Sequence, residues 1–255
     1  MEKPFIIAVS GKGGTGKTTI SALLVGSFID LSETPVLAVD ADPNANLHEA
    51  LGVEVRETLG SMREEAFTKQ IPPGMSRTDY IRFRFRQVLI ESAGFDLIAM
   101  GRPEGMGCYC FANDLLQVAM HSLEREYRFI VIDSEAGMEH ISRGTIGKPD
   151  VLLIVSDPGA RGIRTAVRIR EIARSLGIED RVIFLVFNRY RGEIADFAVQ
   201  IPVLGQIPED PEVMGADLAG TPIAGIPAES PARKAVMHLA RRLTEMSSGQ
   251  KQSLG

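Results

Sequence analysis

The sequence predicts an α/β protein with a doubly wound, mostly parallel sheet, and three observations support this. Short continuous apolar runs rich in β-branched residues recur along the 255-residue chain, as in strands covered on both faces. Segments with helical periodicity separate these runs, and a glycine-rich loop joins the first run to the first helical segment. Repeating strand–helix units favour right-handed crossovers in one layered domain. We expect that domain over residues 1–245 and a polar, disordered tail over 246–255.

Seven apolar runs are predicted to form strands. They are FIIAVS (5–10), PVLAVD (35–40), FDLIAM (95–100), FIVIDS (129–134), VLLIVS (151–156), VIFLVF (182–187) and IPVLGQI (201–207). Residues 17–31 place five apolar side chains on one helical stripe. Residues 162–177 have the same period and end on a glycine, which is a helix-stop signal.

Composition and charge exclude several classes of protein. With 44% hydrophobic and 24% charged residues, the chain resembles an ordinary globular protein, and no apolar run approaches the ~20 residues of a membrane span. A net charge of −5 provides no general attraction for nucleic acid or anionic lipid. We therefore expect a cytoplasmic protein that binds neither. YIRFRFRQVLIES (80–92) could contact nucleic acid, but without a wider basic patch it favours an amphipathic surface helix or strand with solvated arginines.

The loop GKGGTGKTT (11–19) matches the pattern G-x-x-x-x-G-K-[ST] between a strand and a helix, the context that confirms a phosphate-binding loop. Its backbone N–H groups and the helix N-terminus would bind phosphate oxygens. Lys17 would neutralise the β- and γ-phosphates, and the Thr18 hydroxyl would coordinate Mg²⁺. The alternative is a glycine-rich turn with an incidental lysine. The predicted nucleotide-binding residues here are Gly11, Lys12, Gly13, Gly14, Thr15, Gly16, Lys17, Thr18 and Thr19.

A second lysine directly after Gly11 makes this loop similar to the deviant P-loop of the nitrogenase iron protein, the Min and Par ATPases and metal-trafficking ATPases. The resemblance implies a P-loop NTPase fold that hydrolyses ATP. It also implies a homodimer in which Lys12 reaches the partner's nucleotide as a catalytic group, together with Lys17. By itself, Lys12 could be an ordinary solvated lysine.

Three aspartates follow predicted strands, at the sheet edge where α/β proteins bind ligands. Asp40 and Asp42 lie in VDADPNANL (39–47), and Asp133 ends FIVIDSEAG (129–137). The resemblance implies that Asp133 is the Walker B acid for Mg²⁺ and that Asp40 supports the same ion. Asp42 would orient or deprotonate the attacking water. Each aspartate could instead be a helix cap or a turn residue.

Two later segments resemble the adenine-binding parts of these ATPases. LVFNRY (185–190) places Asn188 just past a strand, where the family reads adenine with an asparagine. GQIPED (205–210), which contains Pro208, resembles the loop that packs on the base. A turn would explain this second segment nearly as well.

Cys108 and Cys110 are the chain's only cysteines, in the stretch GMGCYC (105–110). A C-x-C pair presents two sulfurs to one ion, and thiolates select zinc, copper(I), iron–sulfur clusters or nickel. Two ligands leave a site incomplete, whereas a two-fold dimer provides four. A redox role, a strained C-x-C disulfide and two structural cysteines are the alternatives. Met106, Met138 and His140 could assist, but packing roles explain them better, and they are not assigned.

GMGCYCFANDLL (105–116), IDSEAGMEHISRGT (132–145) and the deviant P-loop together resemble the carbon monoxide dehydrogenase nickel-insertion accessory ATPases (the CooC/AcsF type). This resemblance implies that Cys108 and Cys110 of two subunits bind Ni²⁺, or Zn²⁺ at the same site. ATP hydrolysis would then support maturation of a client, carbon monoxide dehydrogenase or acetyl-CoA synthase.

Other classes remain open at this stage. A reductase like the nitrogenase iron protein needs a cysteine after Asp133, where the sequence reads DSEAGMEH, unless Cys110 substitutes. A Min-type positioning ATPase needs a membrane-binding helix, for which ARKAVMHLARRLTEM (232–246) is the candidate. A Par-type ATPase needs a basic DNA-binding surface, and a phosphotransferase needs an acceptor site that the sequence does not reveal.

Overall fold

The computed structural model of the chain describes residues 3–44, 46–61, 72–101, 126–134, 148–192 and 201–252. The strands in these ranges are β1 (Phe5–Gly11), β2 (Val36–Asp40), β3 (Ile90–Glu91), β4 (Phe95–Ala99), β5 (Phe129–Asp133), β6 (Val151–Ser156), β7 (Ile183–Asn188) and β8 (Val203–Ile207). They form one sheet in the order β3-β4-β2-β5-β1-β6-β7-β8. Only β3 runs antiparallel to its neighbour among these pairings.

All seven predicted strands are present, with ends that differ by no more than two residues from the sequence prediction. The added strand β3 has two residues, which is too short to create a visible apolar run. The predicted doubly wound fold is therefore confirmed.

The helices are α1 (Lys17–Asp30), α2 (Leu47–Leu51), α3 (Arg77–Val88), α4 (Ala160–Ser175), α5 (Pro211–Ala219) and α6 (Pro231–Gln252), with short 3₁₀ turns at Asp180–Val182 and Ile223–Gly225. Successive side chains of β1 point to opposite faces, and both faces are buried. Ile7 packs in the layer that contains α1 and α6, whereas Ile6 and Ala8 pack in the layers on the other face, beside α3 and α4. This double coverage is why continuous apolar runs identified the strands.

Helix α6 bears on two predictions, the disordered tail from residue 246 and the membrane-binding stripe over residues 232–246. The tail predicted to be disordered from residue 246 is helical through residue 252. The reason is packing: Leu239 and Leu243 are buried, and the same face continues to Met246, which packs on the core, and to Ser247, which is 5% exposed. The apolar stripe proposed as a membrane-binding face thus lies against α1 and β8. Among the described residues, no helix is long and apolar enough to span a bilayer.

The segment 80–92 contains both a helix and a strand, α3 and β3. One arginine departs from the prediction of solvated arginines: Arg84 is 14% exposed and pairs with Glu57 at 3.1 Å between Nη2 and Oε2. Ser76 caps the helix by accepting the N–H of Asp79 at 3.1 Å. The ion pair therefore connects helix α3 to the segment that follows α2.

Candidate active site

The phosphate-loop residues connect β1 to α1 and approach two other strands closely. A Cβ on Gly11 would lie 2.3 Å from the carbonyl oxygen of Val155 in β6. A Cβ on Gly16, where φ is +88°, would lie 2.3 Å from Nδ2 of Asn188. At Gly11 a backbone atom stands where the Cβ would be, and at Gly16 a Cβ would combine a left-handed backbone with displacement of the Asn188 amide, so both positions favour glycine.

Three other loop residues, Lys12, Thr15 and Lys17, contact one another. The Thr15 hydroxyl donates to the carbonyl oxygen of Lys12 at 2.8 Å, and Lys17 Nζ lies 3.4 Å from the same oxygen. Lys17 is 9% exposed, whereas Lys12 is exposed to solvent. The two lysines therefore differ: one is enclosed by the loop, and the other projects from it.

Asp133 contacts the start of α1. Its Oδ2 accepts a hydrogen bond from the Thr18 hydroxyl at 2.6 Å, and its Oδ1 accepts one from Ser21 at 3.3 Å. Asp40 is opposite Asp133 in the β2–β5 register, but it binds backbone instead, accepting the N–H of Leu47 at 2.8 Å. The sequence predicted Asp133 and Thr18 for one site, and the structure brings them together. Ser21 was not predicted, although it lies one helical turn after Thr18.

Burial raises the pKa of both carboxyls from an ordinary value of 3.8. The pKa of Asp40 rises to about 7, mainly through desolvation and also through the nearby charge of Asp133, against the hydrogen bonds from Leu47 and Asp42. Desolvation likewise raises the pKa of Asp133 to about 6, although Thr18, Lys17 and Ser21 oppose the shift. A cation beside these side chains would offset the desolvation cost, and hydroxyl and carboxylate oxygens are the ligands that Mg²⁺ prefers. The donor set therefore fits Mg²⁺ at Thr18 and Asp133.

Asp42 lies in the loop after β2. Its N–H donates to Asp40 Oδ1 at 3.1 Å, and its own Oδ1 accepts both the N–H and the side-chain amide of Asn44, at 2.8 and 3.0 Å. Asp42 thus forms a turn at the edge of the sheet where the phosphate loop also lies.

A cleft of about 270 Å³ lies beside the phosphate loop. Asn188 and Pro208 both line it, as does Thr19. The side-chain amide of Asn188 donates to the carbonyl oxygen of Thr15 at 2.8 Å, so its Nδ2 is engaged and the orientation of its Oδ1 is set. Arg189, Glu209 and Asp210, which lie in the two predicted segments, also line the cleft, whereas the sequence did not predict the walls formed by Val213, Met214, Asp217 and Ala232. The dipeptide Asp210–Pro211 was the available signal, since an Asp N-cap followed by Pro at the first helical position marks a helix start.

The cysteine prediction falls outside the described residues, as do Met106, Met138 and His140. Within the described ranges, no three His, Cys, Asp or Glu side chains form a group able to hold a metal ion.

Comparison with known proteins agrees with this geometry. A family model described as the CobQ/CobB/MinD/ParA nucleotide binding domain matches residues 6–223. The chain belongs to this family. As a member of the family it is an ATPase.

Among curated relatives, an uncharacterized ATP-binding protein of Methanocaldococcus jannaschii is 40% identical over 248 residues, covering 93% of this chain and 98% of the relative. The carbon monoxide dehydrogenase accessory protein CooC of Rhodospirillum rubrum is 37% identical, covering 84% and 87%. Among solved structures, the septum site-determining protein MinD of Pyrococcus horikoshii, in complex with Mg-ADP, matches with a TM-score of 0.73 and 25% identity, covering 96% of this chain and 97% of that one.

Proposed function

We propose that this ATPase is a metallochaperone that binds nickel through Cys108 and Cys110 and supports maturation of carbon monoxide dehydrogenase or acetyl-CoA synthase. The observation that carries the proposal is the C-x-C pair in a chain 37% identical to a carbon monoxide dehydrogenase accessory protein. Nickel is the cargo in this scheme, and Zn²⁺ would compete for the same thiolates.

The number of sulfurs requires two subunits. One chain contributes two thiolates, and a two-fold dimer places the same patch twice at its axis, giving four. Thiolates must lose their protons to bind metal, so nickel uptake should weaken as pH falls.

Sheet order supports coupling between the cysteine segment and the nucleotide. The cysteine segment follows β4, and β4 pairs with β2, which in turn pairs with β5. Asp40 and Asp133 end β2 and β5, so all three strands end at one edge of the sheet. In this proposal, loss of the γ-phosphate would be signalled to the thiolates through the ends of these three strands.

In this proposal, residues of the phosphate loop and of the neighbouring strand ends would carry out ATP hydrolysis. Lys17 would bind the β- and γ-phosphates, and Thr18 and Asp133 would hold Mg²⁺, which supplies electrostatic stabilisation of the phosphates. Asp42 would orient the attacking water once nucleotide replaces its turn contacts. Lys12, exposed on the loop, would neutralise charge at the partner's nucleotide across the dimer.

The proposal is tested by maturation of a nickel-free client. Carbon monoxide dehydrogenase produced without nickel is incubated with Ni²⁺, the chain and Mg²⁺–ATP, and its activity is followed with time. We expect the parent to raise the activation rate, and Cys108→Ser and Lys17→Ala to abolish that increase. Glu245→Gln, on the exposed face of α6, is the matched control. Equal stimulation by Cys108→Ser and the parent would refute the proposal.

A positioning ATPase of the MinD type is the second candidate, favoured by the fold likeness to MinD of P. horikoshii. It predicts ATP-dependent sedimentation with liposomes of anionic phospholipid. Burial of the α6 stripe argues against that helix as the membrane-binding element. Sedimentation with ATP, together with no effect on the nickel-free client, would favour this candidate.

A further inference from the structure

Asp210 joins the N-termini of helices α5 and α6 at the cleft beside the phosphate loop. We call this cleft the base cleft, because the predicted adenine-binding residues Asn188 and Pro208 line it. Its Oδ1 accepts the N–H of Glu212 in the first turn of α5 at 2.9 Å. Its Oδ2 accepts the N–H of Ala232, in the first turn of α6, at 2.8 Å. Asp210 is 4% exposed, so this carboxylate works away from bulk water. One side chain thus caps two helices that are twenty residues apart in sequence.

Ser230 completes the connection. Its hydroxyl donates to Asp210 Oδ2 at 2.5 Å, and its oxygen accepts the N–H of Arg233 at 3.3 Å. Ser230 is 3% exposed. Burial alone would raise the pKa of Asp210, but the hydrogen bonds from Ala232, Ser230 and Glu212 outweigh it and hold that pKa below its ordinary value. Oδ1 of the carboxylate therefore binds the start of α5, and Oδ2 binds the start of α6.

Both helices and the loop before Asp210 line the cleft beside the phosphate loop. Helix α5 contributes Val213 and Met214, α6 contributes Ala232, and the preceding loop contributes Pro208. The distance between these walls depends on the spacing of the N-termini of α5 and α6. Asp210 accepts hydrogen bonds from both N-termini and therefore fixes that spacing. The phosphate loop makes no hydrogen bond to Asp210 within the described residues.

We propose that Asp210 is a positioning residue for nucleotide-base recognition, which sets the shape of the base cleft by holding the N-termini of α5 and α6 together. Asp210 acts through Pro208, Val213 and Met214 rather than on the phosphates. The role concerns ATP selection and does not depend on nickel as the cargo.

Asp210→Asn separates this role from a general structural one, because the amide keeps the volume but can accept from only one of the two helices. The expected result is an equilibrium affinity for ATP about tenfold weaker, because one helix end must shift to satisfy its freed N–H group and moves a wall of the cleft with it. Inorganic tripolyphosphate, which has no base, is the second probe, and its affinity should not change. Ser76→Ala removes the cap of α3, far from the cleft, and serves as the control for loss of a cap.

Two results would overturn the proposal. One is an unchanged affinity for ATP. The other is loss of ATP and tripolyphosphate affinity by the same factor, which would show that Asp210 acts on the whole domain. If Asp210→Asn does not fold, Ser230→Ala is the second variant, because it removes only the hydrogen bond from Ser230 to Asp210. Its affinities for ATP and tripolyphosphate then test the proposal in the same way.

Discussion

Replacement of Asp133 by Asn should stabilise the nucleotide-free protein while it abolishes Mg²⁺-dependent hydrolysis. Asp133 is 2% exposed, and the hydroxyls of Thr18 and Ser21 can reorient around an amide, so both hydrogen bonds survive. What the substitution removes is a buried negative charge and an oxygen ligand for Mg²⁺.

The size of the effect follows from the pKa of Asp133. That pKa is about 6 in the folded chain against an ordinary value of 3.8, a difference of about two units that corresponds to about 3 kcal/mol. The pKa of Asp133 is higher in the folded chain than in the unfolded chain. Protonated Asp133 therefore makes its full contribution to the free energy of unfolding below pH 4, and this contribution is lost as the pH rises through about 6. At pH 8 the parent therefore carries the full cost of the buried charge, and at pH 5 about half of it.

Urea unfolding in EDTA without nucleotide measures this directly. The Asp133→Asn variant should exceed the parent in free energy of unfolding by about 3 kcal/mol at pH 8 and by about half of that difference at pH 5. Glu245→Gln, which removes an exposed charge, should stay within about 0.5 kcal/mol of the parent at both values. A variant less stable than the parent at pH 8, or a difference that does not vary with pH, would show that Asp133 is not a destabilising buried charge.

Three further changes test other parts of the site and fold. Gly16→Ala would place a methyl group against the side-chain amide that faces the loop, so ATP affinity in equilibrium binding should fall at least about tenfold; Gly26→Ala, in open space, should have no effect, and equal affinities would contradict the geometry. A mixture of Lys12→Ala and Asp42→Asn chains, each inactive alone, should regain about a quarter of parental ATPase activity if Lys12 acts across a two-fold dimer, whereas no recovery would place Lys12 in its own subunit's site. Leu243→Ala should lower the free energy of unfolding by about 2–5 kcal/mol in urea, and a change below about 1 kcal/mol would show that α6 contributes little to the core.

The sequence was most informative where local pattern and tertiary burial agree. Continuous apolar runs identified seven strands because both faces of the sheet are covered. The glycine pattern identified the phosphate loop, and the structure gives the reason for two of its glycines. Val155 and Asn188 lie close to Gly11 and Gly16 and leave little room for a side chain there. The contact of Thr18 with Asp133 followed from the ends of two strands at one edge.

Other features depend on contacts between distant segments. The polar composition after residue 246 suggested disorder, but Leu239 and Leu243 fix a helix face that continues to Met246. Arg84 was expected in solvent, yet it pairs with Glu57, 27 residues earlier. The double cap at Asp210 needs Ser230 and the start of α6, and nothing in the local sequence reveals that they meet.

The proposed nickel site is shared between two chains and coupled to ATP. The most direct measurement is an anaerobic nickel titration of metal-free protein, with and without Mg²⁺–ATP, that records thiolate-to-metal absorbance and bound nickel per chain. We expect saturation at one nickel per two chains and tighter nickel binding with nucleotide. We expect no thiolate-to-nickel absorbance band in Cys108→Ser. Nickel binding by Cys108→Ser equal to that of the parent, or none by the parent in either state, would contradict it.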